Sequence, residues 1–128
     1  MAENITLQIP AVQLQQITGK EIDLESLLDV LFADKDNHAL MCNRLERYHW
    51  GSGTFPQVEA FTLEHIKFDA ETLTGKFRCR FRVGFSFTCS GTTGGQNDTI
   101  AWDVKIDPEK QIMFLYGEEP LMRDGDDL

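Results

Sequence analysis

The sequence predicts an α+β fold in which one amphipathic helix, with a candidate second, packs on a curved antiparallel β-meander of four to five strands. Three observations carry this expectation. Residues 76–89 alternate without a break, with Phe77, Cys79, Phe81, Val83, Phe85, Phe87 and Cys89 at odd positions and Lys76, Arg78, Arg80, Arg82, Gly84, Ser86 and Thr88 at even ones. Strand side chains change face with period two, so this is one long strand with an apolar side and a basic side. Leu24, Leu27, Leu28, Leu31 and Phe32 follow helical spacing, which places them on a single stripe. Finally, alternating runs separated by turn residues follow one another from Val58 to Tyr116, the pattern of a meander.

Taken in order, Ile5, Leu7 and Ile9 share a face and Pro10 ends the run, which predicts a short edge strand over 4–9. Residues 11–21 carry no clear period and read as a polar connector, helical for a turn or two at most. A helix is expected over 23–34, with Asp23 as N-cap and Ile22 packing on Leu27 as a hydrophobic staple. Asp34–Asn37 breaks it. A weaker helix fits 37–48, with Met41, Cys42, Leu45 and Tyr48 on one side. Gly51, Gly53 and Pro56 predict a loop. In 58–68, Phe61 and Leu63 have one parity and Ile66 and Phe68 the other, so a β-bulge is expected near Glu64–His65. A hairpin connection over 69–75 leads into the long strand, whose central Gly84 is the expected place for a bend. Residues 90–98 read as a loop and 99–106 as a strand with Ile100, Trp102, Val104 and Ile106 inward. Asp107–Lys110 reads as a type I turn. Residues 111–116 are apolar at both parities, so their inward face is not assigned. Residues 118–128 read as an acidic flexible tail on a single domain.

The chain has 128 residues and a formal net charge of −9. Residues 1–40 hold seven acids and two bases, whereas four of the twelve bases fall in 76–82. An acidic molecule with one basic stripe is poorly suited to a polyanion, because nucleic-acid binding rests on neutralising phosphates. Aromatic residues predicted on the opposite face from the arginines weigh against RNA stacking as well. The three cysteines lack metal-ligand spacing, and Cys79 and Cys89 lie about 30 Å apart along one strand. With neither an export signal nor a membrane-length apolar run at hand, the expectation is a reduced, cytoplasmic protein. No cofactor or metal site is expected.

The Arg78, Arg80 and Arg82 ladder has two readings. It can grip a carboxylate or phosphate group through forked hydrogen bonds, or it can pair across strands with Glu59, Glu64 or Asp103 on a solvated face. The Gly-rich run 91–95 lacks the Lys-Ser/Thr ending of a phosphate loop and precedes no helix, so it reads as a hairpin tip. His38, His49 and His65 show no ligand spacing, and His49 lacks an evident catalytic partner. Tyr48, Trp50 and Phe55 flank the Gly51–Gly53 hinge, either as an exposed patch of the kind enriched at interfaces or buried at the end of the sheet. Asp29, Asp34 and Asp36 belong to an acidic stretch suited to electrostatic capture of a basic partner.

The element order resembles that of the cystatin-like fold, a helix held against a curved meander. That superfamily's inhibitors carry a Gln-x-Val-x-Gly hairpin. Here Gln57-Val58-Glu59-Ala60-Phe61 sets Val one place early, lacks the Gly and precedes a strand, so protease inhibition is not carried over. The functional expectation is a small acidic protein-binding module without catalytic residues, most concretely an immunity- or antitoxin-like inhibitor that masks a basic toxin or enzyme. The sequence places Arg78, Arg80, Arg82, Asp29, Asp34, Asp36 and Trp50 as its partner-binding candidates. The alternative is an anion-binding domain or enzyme that uses the concave sheet face as a pocket, with the arginines as its grip.

Overall fold

The strict alternation in the long strand has the consequence that period two demands. Phe77, Cys79, Phe81 and Val83 are buried, while Arg78, Arg80 and Arg82 are exposed. In the computed structural model, which describes residues 2–50, 54–87 and 93–120, this strand is β4 (Thr74–Phe87). It lies within a six-stranded antiparallel sheet with β1 (Asn4–Gln8), β2 (Thr54–Gln57), β3 (Phe61–Asp69), β5 (Thr93–Asp107) and β6 (Ile112–Gly117). Its strands run in the order β1-β6-β5-β4, and both β2 and β3 pair along the far side of β4. Among the described residues three helices, α1 (Ala11–Thr18), α2 (Leu24–Ala33) and α3 (Lys35–Arg47), join this sheet in an α+β architecture. Their apolar stripes meet the inner face of the curved sheet in one core that includes Leu27, Leu28, Leu45, Phe77, Ile100, Trp102 and Leu115.

Helices α2 and α3 begin where side chains satisfy free backbone amides. Asp23 accepts from the Ser26 amide at 2.8 Å, and this hydrogen bonding holds its carboxyl below the usual carboxylate range. Asp34 alone separates α2 from α3, and its carboxylate accepts from the Asp36 and Asn37 amides at 2.9 and 3.1 Å. The expected break at 34–37 is therefore a single-residue corner, and α3 starts two residues earlier than the sequence indicated. The connector at 11–21 folds into two turns of helix that bury Leu14 and Ile17.

The bulge in β3 stands where the phase slips. Register jumps between Glu64 and Lys67, and His65 takes a positive φ of 54°. That extra residue lets both Leu63 and Ile66 face the core. Gly75 is required next to it, since a Cβ there would collide with the Lys67 carbonyl.

Two expectations need correction. Residues 54–57, read as loop, form β2 and pair with Gly84–Phe87 despite Pro56. Such a proline is tolerated where its missing N–H faces away from the partner strand. Residues 93–98, also read as loop, extend β5, with Thr93 opposite Ser86. In β6, whose inward face the sequence left unassigned, Met113 and Leu115 point inward, leaving Ile112, Phe114 and Tyr116 on the outer face. After β6, Glu118 bonds back to β5, its amide donating to the Ala101 carbonyl at 2.9 Å and its side chain accepting from the Ala101 amide at 2.7 Å. Cys89, the side chain of Phe87, the Gly51–Gly53 hinge and residues 121–128 lie outside the described residues. Among the described residues no helix is long and apolar enough to cross a membrane.

Candidate functional site

The two layers separate the candidate residues by charge. The arginines stand on the outer face of the sheet, and the carboxylates of the acidic stretch lie on the helical layer. The structure therefore does not join them in one site. The inner face, on which the alternative reading placed an anion pocket, is filled by helices, and Phe77, Cys79, Phe81 and Val83 there are at most 3% exposed. An anion gripped by Arg78, Arg80 or Arg82 would have to sit on the opposite face.

On that outer face the three arginines differ in their partners. Arg80 Nε lies 3.3 Å from Glu64 Oε2, so cross-strand pairing holds here. Arg78 stands opposite Glu64 in register but donates to the Thr99 hydroxyl at 3.0 Å. Arg82 has no carboxylate within ion-pair distance among the described residues, although Glu59 lines the same small depression. Its guanidinium lies over Gly95, where a Cβ would crowd it. Gly95 and Gly84 face each other across the ladder, which leaves the sheet bare beside Arg82. Between Arg80 and Arg82 a shallow basin of about 690 Å³ is lined by Thr62, Asn97 and Thr99.

Aromatic residues also occupy this face, contrary to the premise used against RNA stacking. Phe114 and Tyr116 stack with ring centroids 6.2 Å apart, and Tyr116 is 47% exposed. They stand on β6, separated from the arginines by β5, which carries Asp103 between them.

At the end of α3, Trp50 is 60% exposed, with the Arg47 guanidinium 5.0 Å from its ring centroid. Phe55 is exposed too, so the burial reading for these two aromatics does not hold. Tyr48 is half-buried, and its hydroxyl donates to the Glu118 carbonyl at 2.6 Å. His49 does have a partner that sequence reasoning missed. Its Nε2 lies 2.8 Å from Asp98 Oδ2, and its ring packs edge-on against Phe81 and Phe85. Assigning 90–98 to a loop hid this contact, because only strand pairing sets Asp98 opposite Phe81 on the inner face. The pair ties the end of α3 to β5.

The helical layer is the acidic side. Residues 21–43 hold six carboxylates against one base, Lys35. Asp23 and Asp34 are engaged as caps, while Glu25, Asp29 and Asp36 are exposed on the same layer. Val30, 45% exposed, lies beside Asp34 and Asp36, whereas Glu25 and Asp29 line a separate depression toward β3. A depression of about 500 Å³ runs from Val30, Asp34 and Asp36 to Thr6 and Gln8 of β1. Arg44 and Arg47, the bases in the last turn of α3, lie against Glu3, at 3.8 and 2.8 Å.

Cys42 and Cys79 are free, buried thiols. Burial, reinforced by Glu46, pushes the Cys42 thiol up to about 11, and burial followed by the Cys42 charge raises Cys79 further still. Neither is a poised nucleophile. Among the described residues no group of three His, Cys, Asp or Glu side chains could hold a metal ion. Compared with known proteins, the chain matches no family model, no curated protein and no solved structure.

Proposed function

We propose that the protein is a binding module that caps a basic surface of a partner protein, in its most concrete form as an immunity- or antitoxin-like inhibitor. One observation carries the reading: exposed Val30 shares a depression with Asp34 and Asp36 on a layer with a single base between residues 21 and 43. An apolar contact within a field of one sign suits a partner of opposite sign, because the field speeds encounter and fixes orientation while the apolar centre excludes water. The net charge of −9 extends that field beyond the patch.

Affinity capture with the intact chain, followed by an ionic-strength series, tests the proposal. A stoichiometric basic protein should be retained at low salt, released as salt rises, and lost with Asp29→Lys plus Asp36→Lys. Retention by that double variant equal to the unmodified chain refutes the proposal.

A second reading has its own support. The basin between Arg80 and Arg82 offers two guanidinium groups, the second without an ion pair among the described residues, beside Thr62, Asn97 and Thr99, a donor set for a small carboxylate or phosphate. Inorganic phosphate would then raise the melting temperature of the unmodified chain and leave that of Arg82→Glu unchanged. Equal shifts in both exclude this site.

A further inference from the structure

The edge of β1 is left open in its middle. Among the described residues β1 pairs only with β6. In this ladder the Gly117 amide donates to the Glu3 carbonyl and the Ile9 amide to the Gln111 carbonyl, both at 2.8 Å. An antiparallel strand alternates hydrogen-bonded residues with residues whose backbone groups face the other way. Odd-numbered residues therefore serve β6, and Asn4, Thr6 and Gln8 present their N–H and C=O groups to the free edge. Arg44 bears this out by donating to the Asn4 carbonyl at 3.3 Å from the helical side.

Proteins guard such edges with charges, prolines or covering elements. Here the guards stand at the two ends only. Arg44 closes the Asn4 end, and Pro10, which has no N–H, closes the other. Between them, the edge-facing amides and carbonyls of Thr6 and Gln8 have no partner among the described residues, and both residues are exposed. The depression of about 500 Å³ lies against this stretch, with Val30 and Leu31 on its floor and Asp34 and Asp36 on its rim.

We propose that this edge is a strand-addition site for an extended, basic segment of the partner protein, a proposal that rests on the reading of the molecule as a cap for a basic protein. The added strand takes its main-chain hydrogen bonds from Thr6 and Gln8. Every second side chain of the segment then turns toward the helical layer. An apolar residue there meets Val30, and a lysine or arginine two positions on meets Asp34 and Asp36. Charge selects this occupant over a second copy of the chain, because pairing β1 with β1 would bring two acidic rims together.

The test uses the intact protein and the acetylated peptide Thr-Val-Ser-Lys-Thr-Val-Ser-Lys, with a control in which Glu replaces Lys. Binding is followed by amide chemical shifts and hydrogen exchange. The expected result is binding of the Lys peptide alone, with the amides of Thr6 and Gln8 newly protected. Gln8→Pro deletes one edge amide without touching the β1–β6 ladder, and should weaken binding about tenfold, the factor that the loss of one such bond corresponds to. Val30→Lys, on an exposed helix surface, should weaken it comparably and guards against a folding defect in the proline variant. Equal binding of the Lys peptide to all three chains overturns the proposal, as does its failure to bind. Sedimentation of the unmodified chain as a dimer that Gln8→Pro dissociates overturns it in favour of a second copy. If a captured basic partner is lost with Asp29→Lys plus Asp36→Lys yet kept by Gln8→Pro, strand addition is refuted and the acidic docking face stands.

Discussion

Asp34 has two possible duties, and paired substitutions separate them. Its carboxylate caps α3 through two amides, at 2.9 and 3.1 Å, and also stands on the rim of the acidic depression. Asp34→Ala removes the capping acceptor, at a cost of about 1 kcal/mol. It also removes a negative charge at the positive end of the α3 dipole, worth a further ~0.5 kcal/mol on an exposed helix. A domain of this size shifts by roughly 4 °C per kcal/mol, so the alanine variant should melt about 6 °C below the unmodified chain. Asp34→Asn keeps an acceptor and loses only the charge, so about 2 °C is expected from the same dipole contribution. Calorimetric melts at low salt and at about 0.5 M salt should shrink the asparagine effect and leave most of the alanine effect, since screening acts on charge and not on the missing hydrogen bond. In a binding assay the two variants should weaken association to the same degree, because both lack the charge. Equal melting of both variants at the unmodified temperature would refute the capping argument. Full association by Asp34→Asn would show that Asp34 serves the corner alone.

Two other expectations follow from the outer face and the core. Arg80→Glu places a carboxylate beside Glu64 and should lower stability by roughly 0.5–1 kcal/mol, whereas Arg82→Glu, with no ion pair among the described residues to break, should change stability by less than about 0.5 kcal/mol; equal losses in urea melts would contradict the pairing. In a Cys89→Ala background, Cys42 and Cys79 should resist a disulfide reagent at pH 8 in the folded protein and react freely in denaturant, and rapid labelling of the folded chain would contradict their burial. The folded state holds the Cys42 proton more firmly than an ordinary thiol does, with about 11 against 9.0. Its contribution to stability is therefore intact below pH 9.0 and lost as pH rises toward 11.

How much of the molecule could be read in the chain depended on whether pattern and partner were local. The bulge in β3 was legible because parity itself changes sides between Leu63 and Ile66. The α2 helix and its Asp23 cap were legible because stripe and cap fall within a dozen residues. β6 was not, since Ile112, Met113, Phe114 and Leu115 are apolar at both parities, and only pairing with β1 and β5 decides which are buried. The start of β5 was hidden by Gly94 and Gly95, whose turn-like composition here serves the close approach of Arg82. Pro56 masked β2 in the same way. Of the candidate site, the basic ladder was visible as an alternation. Its division into Arg80 paired with Glu64, Arg78 on Thr99 and Arg82 lying over Gly95 was not, because those neighbours come from other strands. The His49–Asp98 contact spans 49 residues and has no local signal at all.

The separation of charge between the layers bears on the kinetics of any docking event. Bases cluster on the outer face of the sheet and acids on the helical layer, so a positively charged partner attracts one side of the molecule and repels the other. This orients the chain before contact, with α2, the start of α3 and the adjacent edge of β1 leading. Such steering acts over about a Debye length, ~8 Å at physiological salt, and acts mainly on the rate of association. The backbone groups of Thr6 and Gln8 act only at hydrogen-bond distance, so their effect falls on the rate of dissociation. Asp36→Lys should therefore slow association and flatten its dependence on salt. Gln8→Pro should leave association nearly unchanged and shorten the lifetime of the complex. If stopped-flow measurements gave the reverse assignment, the edge would be part of the encounter and the acidic rim part of the final lock, and the order of events argued from the two layers would be wrong.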